Sequence, residues 1–380
     1  MEKKIKILFG MESTGGGSLK HLIYLITHLD REIFDMTLMY SLRTGSENEE
    51  IDKLKLLGIN IIRMQMPKDI SFSKDMICLF KVTSFLMRNK FDIVHAHSSK
   101  AGFYFRIASL LNKVPTVIYT PHCFYYQSKS GMKRTFFELL ERGLGLISDK
   151  IVVSENERLQ GVRSRIAPAD KFVNINNAID FNDYVEYERE TCLKHLGLHD
   201  SAVVIGSVGR LVKQKDMLTL IWAAGQLIKE VPDLYFIIAG MGEEEDLLQA
   251  EIAKLGLLNR VLLVGWEYNI DKIFSAIDIF VSTSLWEGLP YVILEAMFYK
   301  KPIVATDIGY QHVLVDNESC YLVPVQDVLT LCEKLKLLVN DRELRHEFGK
   351  KNRINFDLNF SFKKFVKQHE QLYLKLFNKN

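Results

Sequence analysis

Two glutamates carry the densest chemistry in the chain. Glu287 and Glu295 open and close the string EGLPYVILE, and the segment 284–307 around them reads as strand end, loop, helix and strand. Pro290 is placed for the first turn of that helix, so Glu287 lies in the loop before it and Glu295 about two turns on. A carboxylate offers two oxygens to paired O–H donors, which suits sugar or ribose hydroxyls. The free N–H groups that begin a helix suit phosphate oxygens. A single helical Glu is most often solvated, but Glu295 stands among Val292, Ile293, Leu294, Ala296 and Met297. Upstream, IGSVGRLVKQKD puts Arg210 and Lys215 just past an apolar run. Arg binds phosphate through paired N–H donors and Lys as a point charge, so the two could neutralise a diphosphate; plain solvation is the alternative.

Other residues are more ambiguous. Gly15, Gly16 and Gly17 follow the first apolar run and lead into a helix, where bare backbone could approach a phosphate. Their spacing is neither G-x-G-x-x-G nor a P-loop, and a tight turn explains them equally. Gly240 and Gly242 form a second glycine turn, but the acids at 243–246 behind it would repel phosphate, so packing against a base or ribose is the most it would do. His95 and His97 share one face of a strand, yet no third Asp, Glu or Cys ligand is apparent near them, so no metal site is expected. His122, between Pro121 and Cys123, could touch a substrate hydroxyl or be a satisfied core histidine.

All of these residues follow short apolar, β-branched runs. Strands are expected at residues 5–9, 35–39, 59–64, 93–95, 116–119 and 150–153, with helices at 19–29, 49–57, 74–89 and 102–111. The alternation restarts with strands at 203–208, 234–239, 261–264, 279–282 and 303–305 and helices at 217–230, 243–255, 270–275 and 290–299. Such alternation demands parallel sheets with crossover helices, an α/β class whose ligands bind beyond the carboxyl ends of the strands. A chain of 380 residues also exceeds the roughly 250–300 that one core sustains. We therefore expect two doubly wound, Rossmann-like domains at 1–183 and 184–359, joined through the polar stretch 180–194.

The composition is that of an ordinary globular protein, 48% hydrophobic and 25% charged, which excludes disordered and fibrous classes. A net charge of +2 argues against a nucleic-acid coat. It conceals an asymmetry: residues 1–180 sum to +7 and residues 181–380 to −5. The segment 81–134 is the most basic, with one acid, Asp92, and it is interleaved with aromatics such as Phe85, Phe103, Tyr104, Phe105, Phe124, Tyr125 and Tyr126. That pattern suits peripheral contact with an anionic membrane, or else a solvated basic face over core aromatics. Five cysteines without a C-x-x-C pair indicate neither a disulfide framework nor a zinc site, and a reducing cytoplasm fits.

Taken in order, these positions resemble the family-4 retaining glycosyltransferases of GT-B fold, notably those of bacterial surface-polysaccharide assembly, over nearly the whole chain. The E-x7-E signature is Glu287 to Glu295. Supporting strings are Gly16-Gly17 with His21 four positions on, DIVHAHSSKAG at 92–102, TPHCF at 120–124, GRL with Lys215, and AGMGEEEDL at 239–247. The resemblance implies that Arg210 and Lys215 hold the diphosphate of a nucleotide sugar, with the loop at Gly288 and Leu289, and that Glu295 takes the ribose. It also implies that Glu287 and His122 serve the donor sugar, and that Gly16 and Gly17 approach the diphosphate and acceptor. The two domains would face a central cleft and close about it, with a C-terminal helix near 360–380 packing back on the first domain. No cofactor and no metal are expected beyond the UDP- or GDP-sugar donor, since the cations stabilise the leaving group and retention would follow from front-face attack.

Departures from the pattern are Asn176-Asn177-Ala178-Ile179-Asp180 for P-N-G-x-D, Cys123 for a glycine, the segment from Gly309 to Val313, and Ser319-Cys320 for N-G. The expected acceptor is a saccharide, free or carried on a polyprenyl diphosphate, at the inner face of the cytoplasmic membrane. A catalytically silent nucleotide-sugar-binding subunit and a GT-B epimerase are the alternatives.

Overall fold

A computed structural model describes residues 3–12, 16–41, 49–67, 69–180, 184–265, 269–309, 313–314 and 318–379. Gly15 and the 310–312 part of the divergent segment lie outside the described residues. The chain forms two compact units, one of Met1–Asn177 with Phe362–Asn380, the other of Ala178–Ser361. The division falls at Asn177 because that side chain is tied to His21 in the first unit, whereas Tyr184 is tied to Glu295 in the second.

The first unit carries strands β1 Ile5–Met11, β2 Phe34–Tyr40, β3 Asn60–Arg63, β4 Ile93–His97, β5 Thr116–Thr120, β6 Lys150–Val153 and β7 Phe172–Asn174. Its helices are α1 Gly16–His28, α2 Glu49–Leu56, α3 Phe72–Arg88, α4 Ser99–Asn112, α5 Gly131–Ile147 and α6 Glu155–Arg163, joined by the C-terminal α14 Phe362–Phe377. The sheet order is β3-β2-β1-β4-β5-β6-β7, all parallel. Strands such as β1 and β4 are buried on both faces because helices cover both sides.

The second unit carries β8 Val203–Val208, β9 Leu234–Ala239, β10 Val261–Gly265, β11 Ile279–Ser282, β12 Ile303–Thr306 and β13 Cys320–Val323. Helices α7 Arg189–His195, α8 Met217–Leu227, α9 Glu245–Lys254, α10 Ile270–Ala276, α11 Tyr291–Phe298, α12 Val328–Asn340 and α13 Arg342–Asn359 pack around it. The order is β10-β9-β8-β11-β12-β13, again parallel. In each unit the strand order reverses once, between β1 and β4 and between β8 and β11. Successive crossovers leave in opposite directions there, which opens a crevice at the carboxyl ends. The candidate residues of each unit lie at that point.

Two expectations are corrected. Pro290 caps α11 with an extended backbone (φ −74, ψ 140) instead of occupying its first turn, which Tyr291 begins. The basic segment 81–134 is less of a surface than its count implies. Arg106 is wholly buried, donating to Glu141 at 2.8 Å and stacking 3.8 Å over Tyr119, and Lys100 is bonded to Asp75 at 2.9 Å. Tyr104, Phe105, Phe124 and Tyr126 are core. Exposed apolar side chains lie instead on α3 (Phe72, Met76, Phe80) and α5 (Met132, Phe136, Leu139, Leu146), and α4 packs against both helices.

Candidate functional site

In the second unit, the loop leaving β8 is set by its neighbour. Gly209 N–H donates to Ala239 O at 2.9 Å and Leu211 N–H to Met241 O at 3.0 Å. A Cβ on Gly240 would lie 1.8 Å from Gly209 O, so the approach requires glycine. The same loop is fastened to the one leaving β11. Thr283 Oγ1 donates to the carbonyls of Lys215 and Asp216, both at 2.9 Å. Leu285 N–H donates to Gln214 O at 2.8 Å, and Gln214 Nε2 donates to Trp286 O at 2.8 Å.

This frame brings Lys215 Nζ to 2.6 Å from Glu287 Oε1, each side chain only 12% exposed. Ser284 Oγ lies 3.5 Å from the same oxygen. Arg210 is exposed at the end of β8, Leu289 is buried and Gly288 lies beside it. Glu295, on α11, is buried and accepts from Tyr184 Oη at 3.0 Å. Tyr184 belongs to the stretch expected to be a linker. Residues 184–187 instead lie against α10 and α11, through Val185 N–H to Asp271 and Tyr299 Oη to Val185 O.

In the first unit, β5 ends in a turn where His122 (φ 53) and Cys123 (φ 103) both take left-handed backbone. Strain of this kind costs about 1–3 kcal/mol per residue and persists only where neighbours impose it. Glu157 imposes it here. Its carboxylate accepts from Cys123 N–H at 2.8 Å while also completing a capping box with Ser154 at the start of α6. His122 Nε2 lies 3.1 Å from His97 Nδ1, and the His122 ring meets the edge of His21 with centroids 4.8 Å apart. His21 Nδ1 is 2.8 Å from Asn177 Oδ1. His95 is a satisfied core residue, bonded to Tyr373 Oη and Thr120 Oγ1, both at 2.8 Å.

Burial pushes His21 down to about 4, against an opposing hydrogen bond from Asn177. His95, His97 and His122 are held well below their ordinary value by the same desolvation and then by the charge of neighbouring histidines, His21 and His369 among them. The cluster is therefore neutral at physiological pH. Gly16 and Gly17 are exposed at the start of α1, with Gly16 at φ 68.

His97 of the H-x-H pair stands beside two further histidines, His122 and His21, the latter carried in on α1. The sequence signals of His21 are its place four positions after Gly16-Gly17 and its place among Leu19, Leu22 and Leu25 on the buried face of that helix. Glu157 was also missed, although the string SENE at 154–157 is a capping-box pattern.

Residues 188–354 match the family described as glycosyl transferases group 1, and residues 15–183 match glycosyltransferase family 4. The chain is 33% identical over 285 residues to an Escherichia coli UDP-Gal:alpha-D-GlcNAc-diphosphoundecaprenol alpha-1,3-galactosyltransferase, covering 73% of this chain and 74% of that one. It is 25% identical over 315 residues to the capsular polysaccharide biosynthesis glycosyltransferase CapM of Staphylococcus aureus, covering 81% and 83%. Anabaena HepE, solved with UDP and glucose, superposes with a TM-score of 0.82 at 21% identity, over 98% of this chain and 100% of that one, a likeness of fold.

Proposed function

The chain belongs to the group 1, family-4 glycosyl transferases of GT-B fold and is a hexosyltransferase, and from that premise we propose that it moves a hexosyl or N-acetylhexosaminyl unit from a UDP-sugar, with a GDP-sugar as the other donor to be tried, to a saccharide carried on a polyprenyl diphosphate in surface-polysaccharide assembly. The observation that carries this reading is the Lys215–Glu287 pair, held between the two loops at the reversal point of the second sheet. With donor bound, the β-phosphate takes the Lys215 ammonium, Arg210 adds a second cation and the Gly288–Leu289 backbone adds N–H donors. Glu287 is released to accept hydroxyls of the donor sugar, and Glu295 exchanges Tyr184 for ribose hydroxyls. His122 serves the transferred sugar, and Gly16 and Gly17 the diphosphate and acceptor.

As the C1–O bond to phosphate breaks, negative charge grows on the leaving oxygen, and fixed cations stabilise that charge most in the transition state. The acceptor oxygen bonds C1 from the same face, its proton passing to the departing phosphate, so configuration is retained. Lys215 and Arg210 supply the charge that a divalent ion would otherwise bring, so this reading requires none. The name of the Escherichia coli relative supports a UDP-sugar and a diphosphoundecaprenol acceptor.

A membrane-borne acceptor calls for a surface that meets lipid. The exposed Met132, Phe136, Leu139 and Leu146 of α5, flanked by Lys129, Lys133 and Arg134, support contact with an anionic bilayer at the inner membrane face. Among the described residues no helix is long and apolar enough to cross a membrane. Nucleotide release from a panel of UDP-, GDP- and ADP-sugars, with and without a lipid-linked acceptor, tests the reaction. Release from a UDP-sugar that Lys215→Ala lowers by about 10²–10³ is expected, and turnover indifferent to Lys215 would overturn the diphosphate assignment. Flotation with anionic and neutral vesicles tests the surface, and equal, negligible binding to both would remove it.

A further inference from the structure

We propose that His21, His97 and His122 form a binding site for a borderline divalent transition ion, with Zn2+ as the probe, whose occupation stops transfer by withdrawing His122. The three residues come from α1, the end of β4 and the turn after β5, and each offers a nitrogen within 4.8 Å of the others. The 3.1 Å between His97 Nδ1 and His122 Nε2 is near the roughly 3.3–3.4 Å that separates two nitrogens on one tetrahedral zinc at 2.0–2.1 Å. His21 completes the set by its tautomer. Its Nδ1 faces Asn177 Oδ1, an oxygen that only accepts, so the proton sits on Nδ1 and Nε2 presents a bare lone pair. That Nε2 is buried without a partner among the described residues.

A second-shell oxygen fixing the ring of a ligating histidine is the usual support of a metal site. His369 adds a further bare pair close by: its Nδ1 donates to Phe365 O at 3.0 Å, its Nε2 has no partner among the described residues, and its ring centroid lies 5.8 Å from that of His21. Neutral imidazoles bind through the free lone pair with a tautomer shift and no net loss of a proton. The donor set is all nitrogen, which suits Zn2+, Cu2+ or Ni2+, while Mg2+ and Ca2+ favour oxygen. His21 and His97 are sealed in, but His122 is partly exposed; the ion enters on that side, and a water takes the fourth position.

The site stands on the histidine geometry alone; the inhibition rests on the sugar-side role proposed for His122. Zn2+ is titrated into the full chain against a chromogenic chelator, and Co2+ is followed by its visible spectrum. One ion per chain and a tetrahedral Co2+ spectrum are expected, with binding lost in His21→Ala and weakened about 10- to 100-fold in Asn177→Ala. Absence of stoichiometric binding, or binding unchanged in Asn177→Ala, overturns the site even if His21→Ala fails to fold. In the transfer assay, Zn2+ inhibition that a chelator reverses and Mg2+ does not reproduce is expected. Stoichiometric Zn2+ without inhibition would leave the site standing and overturn the role given to His122.

Discussion

Lys215 and Glu287 satisfy one another at 2.6 Å in a place that excludes most water, so neither can be removed alone without consequence. Taking away one member of a largely buried pair strands the other charge, whereas removing both relieves it. Lys215→Met should therefore cost more stability in urea than Lys215→Met combined with Glu287→Gln, a sign that direct solvation of either group would not produce. For transfer, Lys215→Ala should lower kcat/KM by about 10²–10³, the usual effect of losing one stabiliser of developing charge. Cys123 makes the opposite prediction. It stands where the family pattern has glycine and holds φ 103, so Cys123→Gly should raise the unfolding free energy by about 1 kcal/mol. A loss instead would mean that the Sγ contact to Gln127 at 2.8 Å outweighs the backbone strain. Glu287, Arg210 and Lys215 were legible because each sits in a short string just past a strand, and Glu295 because it is a lone acid in the apolar run of α11 that follows. The meeting of His21 with His97 and His122 was not, because it depends on the order of β1, β4 and β5 in the sheet.

Among elements, the strands with continuous apolar runs, such as β8, β9 and β11, were readable to the residue. The short β7, at 3 residues, gives too little pattern to stand out from loops. Helix α5 escaped for a different reason: Gly131, Gly143 and Gly145 argue against a helix, and its apolar Met132, Phe136, Leu139 and Leu146 face solvent instead of a core. Helix α14 has sharp period, and its buried face carries His369 and Tyr373 as well as Phe365 and Leu372. Tyr373 Oη reaches His95 in the first sheet at 2.8 Å, with the rings of Phe9 and Phe34 against it. Tyr373→Phe keeps the ring and deletes that bond, leaving a buried imidazole nitrogen unpaired, and should cost about 1–3 kcal/mol by urea denaturation. No loss would show the nitrogen satisfied by another group. Gly240→Ala, with 1.8 Å to Gly209 O, should be more damaging, because the atom it meets is backbone.

For the molecule as a whole, the sequence gives two α/β halves of opposite charge, and the histidines convert that architecture into a pH response. The folded chain binds a proton at His21 only near pH 4, the unfolded chain already near 6.5. The unfolded state therefore holds more protons in that window, and stability falls as pH drops through it. His21 alone contributes about 3 kcal/mol across the window. His369, lowered to about 3 by burial, extends the loss further into acid, and His95, His97 and His122 act in the same direction. Urea midpoints should be level above pH 6.5 and decline steadily below it, and a flat profile between 6.5 and 4 would contradict the buried, neutral cluster. The pairing of Phe362–Asn380 with Met1–Asn177 also bears on the order in which the protein is made. On the ribosome the segment from Ala178 to Ser361 is contiguous and can condense as soon as it emerges, while the half synthesised first waits, its hydrophobic seam open, for the last helix to arrive. The domain that begins the chain is the one whose folding finishes last.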